Sequence, residues 1–268
     1  MEYNLPKGYL SASSMATYLR CGYQYKFRYI DGIVVPPNAA MTKGKVVHNV
    51  FEKYYGTILE GGNRMPPSEV KDMSVDFLEK EYEKCELGNP DDDTRRELEI
   101  ISETYTDNVG REIQPVAVEE EVRYQTSGGV ELLAYIDLVH EKDDYSIADY
   151  KITGKKWNLT NLKNNLQFMV YALTTGLSDI EVHNIVRSTK TPKVFNKQAE
   201  EGVLDVSSNI RVLSHQFDQA TQVSFLEEQI EQIAKAITVG IFVPADPSSW
   251  CCNPTWCGYW EYCRGRQN

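Results

Sequence analysis

Residues 130–153 read VELLAYIDLVHEKDDYSIADYKIT. Two apolar, β-branched runs, 130–140 and 145–152, flank the charged turn Lys142-Asp143-Asp144, which predicts two successive strands. Asp137 interrupts an otherwise apolar strand, and a carboxylate there is costly to bury unless it is paired or binds a cation. Asp149 follows twelve residues later, and Asp149 and Lys151 stand two apart, so they point to one face of the sheet. If the strands are antiparallel neighbours, Asp137 reaches that face too. Two acids and a lysine then converge on one point.

Working outward, 116–124 reads as a strand and Ser127-Gly128-Gly129 as a turn, which completes a β-meander. Downstream, 159–177 predicts a helix, 181–188 and 210–217 further strands, and 221–239 another helix. Upstream, Ser11 or Ser13 caps a helix that ends before Asp31-Gly32. A second helix starts near Thr42, with Val47, Phe51, Tyr54 and Ile58 in one stripe, and Gly61-Gly62 ends it. Two charged helical stretches, about 68–87 and 92–112, flank Gly88-Asn89-Pro90 and read as an inserted helical layer. No repeat, low-complexity tract or linker divides the chain, so residues 1–268 read as a single α/β domain.

Composition narrows the function. The chain has 28 basic against 39 acidic residues, a formal net charge of −11. Duplex affinity comes mostly from Lys and Arg neutralising phosphates, so a broad cationic nucleic-acid binder is excluded. A nucleic-acid role needs a local basic groove or bound cations. Hydrophobic residues make up 41% and charged residues 25%, the balance of a folded globular chain. The sequence has no long apolar span, and residues 1–10 lack the pattern of a signal peptide. The expectation is a cytoplasmic protein with no membrane partner. Six cysteines stand at 21, 85, 251, 252, 257 and 263, and in a reducing compartment such clustering points to metal binding rather than disulfides.

The acid and lysine set suits phosphodiester hydrolysis. Carboxylates hold Mg²⁺ or Mn²⁺, and the ion polarises the phosphate and acidifies water. Lys151 then orients or deprotonates that water, or offsets charge on the phosphate. The competing reading is a plain Asp–Lys ion pair at a strand end.

Asp137 followed by Asp149-x-Lys151 resembles the motif of PD-(D/E)xK nucleases. Further residues are similar to the RecB-like exonuclease branch of that superfamily: His48 in Gly44-Lys45-Val46-Val47-His48, and Gln167 and Tyr171 in QFMVY. The resemblance runs in order over roughly residues 10–263. It implies a restriction-endonuclease-like core, a central mixed β-sheet flanked by helices. It also implies that His48, Asp137, Asp149 and the Tyr150 carbonyl hold the metal, that Lys151, Asp137 and Asp149 carry catalysis, and that Gln167 and Tyr171 contact substrate, with Gln167 near Lys151 and Tyr171 towards the bound strand. Taken singly, His48 is equally a core-edge histidine bonded to Glu52, and Gln167 with Tyr171 is ordinary helix packing.

The tail carries Cys252-x4-Cys257-x5-Cys263, which departs from the close pairs of zinc ribbons. It needs a fourth ligand from elsewhere, and Cys21 is the candidate. One N-terminal cysteine joined to three C-terminal ones resembles the iron–sulfur staple of RecB-like nucleases, including AddB-type helicase-nucleases and CRISPR-associated adaptation nucleases. That resemblance implies a structural 4Fe–4S cluster on Cys21, Cys252, Cys257 and Cys263. Zinc is the alternative. Cys251 competes with Cys252 by one residue, and Cys85 stands apart. The chain departs from the family in having Cys21-Gly22 where Cys-Pro is common, and Ala134 where a glycine often precedes the strand aspartate.

The resulting expectation is a metal-dependent DNA exonuclease, phage or prokaryotic in type, acting on single-stranded DNA or DNA ends in recombination, repair or DNA processing. Recombination or CRISPR-adaptation proteins are the expected partners. No helicase P-loop occurs, so a stand-alone nuclease is expected. The rival readings are a catalytically inactive DNA-binding or assembly module of the same fold and a zinc-stapled structural protein.

Overall fold

The computed structural model describes residues 3–263. Its centre is a seven-stranded mixed sheet with strand order β1-β2-β3-β4-β7-β6-β5. The strands are β1 (Pro115–Gln125), β2 (Glu131–Lys142), β3 (Asp144–Thr153), β4 (Asp179–Val186), β5 (Val194–Glu200), β6 (Val203–Ser207) and β7 (Ile210–Gln216). β1, β2 and β3 form the expected antiparallel meander. β3 and β4 pair in parallel, and the remaining pairs are antiparallel. The parallel step needs a crossover connection, and α6 (Leu159–Lys163) with α7 (Leu166–Thr175) supplies it.

Helices cover both faces. One core packs α1 (Ala12–Arg20), α7 and α8 (Ser224–Thr238) on the sheet through Met15, Phe168, Leu226 and Ile230. The other packs α3 (Ala39–Leu59) with α4 (Pro67–Lys84) and α5 (Asp92–Asn108) through Phe51, Leu78, Leu98 and Tyr105. The two charged helices therefore contribute to the second core. Most of their acids face outward, Glu97 being buried and paired with Lys43, while Val70, Leu78, Leu98 and Ile101 are buried. Among the described residues, no helix is long and apolar enough to cross a membrane.

Two expected helices are broken, each for a local reason. The stretch between Ser11 and Asp31 stops at Cys21, whose backbone is extended (φ −165°, ψ 111°), and resumes as α2 (Gly22–Tyr25) and a π-helical turn (Lys26–Ile30). The break lets the Gly22 N–H donate to the Val243 carbonyl at 2.7 Å. A Cβ on residue 22 would lie 2.5 Å from the Val243 nitrogen. Proline would lose the N–H donor as well, which accounts for glycine after Cys21 in this chain. The helix expected over 159–177 divides at Asn164-Asn165, where the Asn165 side chain accepts from the Gln167 N–H and caps α7. The β5–β6 hairpin was not expected. Its polar edge-strand sequence carries no clear apolar alternation.

A polar knot lies between β2, β4 and β7. The Glu181 carboxylate accepts from Lys142 Nζ at 2.7 Å and Ser214 Oγ at 3.0 Å. His183 Nε2 stands 3.3 Å from it, and His140 Nε2 stands at 3.3 Å off the line of a hydrogen bond.

Candidate active site

The β2–β3 ladder runs from Lys142↔Asp144 to Leu138↔Ala148 and stops. Its register would place Asp137 opposite Asp149 on the next rung, where the strands part. Parting frees the Tyr150 peptide from the ladder, and the site uses both of its polar groups. The Tyr150 N–H donates to Asp137 Oδ2 at 3.2 Å, and the Tyr150 carbonyl lies 3.1 Å from His48 Nε2. His48 Nδ1 is 3.2 Å from the same Asp137 oxygen. His48 projects from α3, so its partners are Asp137 and Tyr150 rather than Glu52.

Asp149 and Lys151 share the sheet face covered by α7. Lys151 Nζ sits 2.6 Å from Asp149 Oδ2 and donates to Gln167 Oε1 at 2.8 Å. Gln167 Nε2 donates to the Tyr171 hydroxyl at 2.6 Å, and that hydroxyl faces Asp149 Oδ1 at 3.4 Å. Gln167 and Tyr171 are four apart on α7 and so share a helix face. The structure thus joins Asp149, Lys151, Gln167 and Tyr171 in one closed circuit, with Tyr171 buried beneath it.

One residue was missed in the sequence. Glu119 on β1 lies between the pairs Val118↔Leu138 and Glu120↔Ile136, hence opposite Asp137. Its backbone is left-handed (φ 49°), a conformation that is uncommon for a non-glycine residue and worth a functional explanation. One ligand atom each from His48, Glu119 and Asp137 lies within 4.8 Å of the others. In sequence Glu119 is the first of three consecutive glutamates in an edge strand, which reads as a solvated face. Glutamate beside a strand acid was the available signal, but the backbone turn that aims it has no mark of its own.

The electrostatics fit a divalent cation. Burial, with the Asp137 charge adding to it, pushes the Glu119 carboxyl up to about 7. Burial pushes Asp149 up to about 6, opposed by Lys151 and reinforced by Asp137. Burial lowers His48, but its hydrogen bond to Asp137 and the negative charges around it outweigh that, so its proton affinity is raised. Asp149 Oδ2 is fully buried against the Lys151 ammonium at 2.6 Å. Acids that hold protons this firmly are short of positive charge, and oxygen donors beside one imidazole suit a hard or borderline divalent ion.

At the other end of α1, Cys21, Cys251, Cys252, Cys257 and Cys263 line one small cavity. The Ala245 N–H donates to Cys21 Sγ at 3.3 Å, and Gln24 Nε2 donates to Cys257 Sγ at 3.3 Å. Both Cys251 and Cys252 reach the cavity. Cys85 lies apart, 3.7 Å from Glu81. Among the described residues, no three thiols close to within 4.8 Å of one another.

Acids, a lysine and a histidine gathered where two strands part are groups that phosphodiester hydrolysis can use, and this chain carries them. It belongs to the PD-(D/E)XK nuclease superfamily, whose family model matches residues 9–264. The chain also resembles the crystal structure of a provisionally designated exonuclease from Eubacterium rectale. That likeness has a TM-score of 0.55 at 14% identity, covers 92% of this chain and 87% of the other, and speaks to the fold. No curated protein matches the chain.

Proposed function

We propose that the protein is a Mg²⁺- or Mn²⁺-dependent DNA exonuclease of the RecB-like branch, acting on single-stranded DNA or DNA ends. The observation that carries this reading is the His48, Glu119 and Asp137 group, its ligand atoms within 4.8 Å of one another beside the Asp149–Lys151 pair. His48, Asp137, Asp149 and the Tyr150 carbonyl, now with Glu119, hold the ion, which supplies positive charge against the scissile phosphate. Lys151 is the catalytic lysine. Gln167 and Asp149 fix its ammonium group in place, so that it orients the attacking water or offsets charge on the phosphate. Gln167 and Tyr171 keep this lysine and acid aligned on the substrate side. The chain is read as one nuclease domain over 1–268, with 68–112 as its helical insert, although residues 1–2 and 264–268 lie outside the described ones.

The cysteine cavity supports a structural 4Fe–4S cluster on Cys21, Cys252, Cys257 and Cys263. Tetrahedral zinc on the same thiols is the alternative. A role in recombination, repair or CRISPR-linked DNA processing, with partners from those systems, extends the same reading. The test is hydrolysis of end-labelled single-stranded and duplex DNA with Mg²⁺ or Mn²⁺. Lys151→Ala and Asp149→Ala are expected to lower the rate at least about 100-fold. Wild-type rates in either variant would refute the assignment.

A further inference from the structure

A cleft of about 730 Å³ opens from the candidate site, with Asp137, Gln167 and Tyr171 on its inner wall. In a chain with 39 acids, Asp137 is the one acid among the described residues that line it. Other clefts carry more acids than bases. One has Glu52 and Glu60 with Lys53, and another has Asp76, Glu79, Glu83 and Glu86 with Lys80 and Arg95. A polyanion is repelled from those surfaces and admitted to this one.

Its outer part pairs cations with aromatic rings. Lys7 and Arg28 are exposed. Both stand over the Tyr29 ring, 5.5 and 5.3 Å from its centroid. Among the described residues, no carboxylate forms an ion pair with either, whereas Lys26, Lys43, Lys45, Lys142 and Arg211 are all paired. Tyr135 leaves half its surface in solvent and stands two residues before Asp137 on β2. Its hydroxyl is tied to Glu121 at 2.8 Å, which holds the ring in place.

We propose that this cleft is the track for a single strand of DNA, in which Lys7 and Arg28 meet phosphates and Tyr135 stacks on a base next to the scissile phosphate. The inference rests on the nuclease reading and makes its substrate specific. A duplex keeps its bases stacked inward, so an exposed tyrosine face contributes to binding only when the bases are splayed. Stacking of this kind tolerates any sequence, because every base has a π-face.

The test measures binding of a short fluorescent oligothymidylate with Ca²⁺ in place of Mg²⁺. Tyr135→Ala should weaken binding about 5- to 150-fold, and Tyr135→Phe should restore it, because the ring rather than the hydroxyl stacks. The double variant Lys7→Ala with Arg28→Ala should lower the slope of log affinity against log salt by about 1.4. Wild-type binding by Tyr135→Ala, an unchanged salt slope, or equal affinity for blunt duplex would overturn the proposal. Hydrolysis of bis(p-nitrophenyl) phosphate by the wild-type protein with Mn²⁺ separates the two readings, since this diester is too small to fill the cleft. A protein that cuts the ester yet shows no Tyr135 effect overturns the track and spares the site. One that cuts neither ester nor DNA overturns both.

Discussion

Glu181→Gln keeps the shape of the polar knot and removes its central charge. Stripping a buried ion pair of one partner generally costs about 3–5 kcal/mol. Lys142 keeps Asp179 at 3.1 Å and leaves 34% of its side chain in solvent, so the lower end, about 3 kcal/mol, applies. With an unfolding entropy of about 2.1 cal/mol/K per residue, 268 residues give roughly 0.56 kcal/mol/K, and Tm should fall by about 5 °C. The pH dependence carries a sign. Burial pushes the Glu181 carboxyl up, but His140, His183 and the Lys142 ammonium outweigh that and hold it well below the usual carboxylate range. A carboxyl lowered by folding stabilises above its unfolded value, near 4.3, and that contribution is lost as pH falls further. The wild type should therefore lose stability relative to the variant by about 1.4 kcal/mol per pH unit below pH ~4. Thermal melts of both proteins at pH 7, 5, 4 and 3 check this. A gap under 1 °C at pH 7, or one that widens on acidification, would refute the assignment of a net stabilising charge to the knot.

Three further outcomes follow from the site and the tail. Glu119→Gln should raise the Mn²⁺ concentration for half-maximal stabilisation in melts by about 10- to 100-fold, and an unshifted metal titration would remove Glu119 from the ligand set. Anaerobically purified protein should absorb near 400 nm and carry iron. Cys257→Ser should abolish both signals and Cys85→Ser neither, and a colourless protein with one zinc would end the cluster reading. Gly22→Ala forces a methyl group against the Val243 backbone. It should cost about 1–3 kcal/mol, a fall in Tm of roughly 2–5 °C, and a variant that melts with the wild type would show that the tail yields there.

The sequence carried the centre of the fold plainly and its edges poorly. Asp137 was conspicuous because an acid inside LAYIDLVH contradicts the strand around it, and that contradiction marks a site. Strand spacing put Asp149 and Lys151 on one sheet face, but alone they read as a plain ion pair, and the resemblance was what set them in a candidate site. Glu119 was hidden, since its exposure to the site depends on one left-handed residue rather than on residue type. The break at Cys21 was equally silent: helix-forming residues continue on both sides, and only the packing of Val243 against Gly22 decides it. Composition showed that the tail cysteines belong together. It did not separate Cys251 from Cys252, because neighbouring residues in a turn both reach the same small space.

The cavity that unites Cys21 with the tail also has a consequence in time. Cys21 leaves the ribosome early, and its partners at 251–263 come some 240 residues later. At roughly 5–20 residues per second, the first thiol waits about 12–48 s for them. During that interval α1 and the meander can collapse, yet the pocket that shields the thiols has no far wall. Oxidants meet Cys21 as an open thiol in the nascent chain and as a lined, hydrogen-bonded one afterwards. Expression yield should therefore depend on oxygen during synthesis more steeply than the finished protein's stability does.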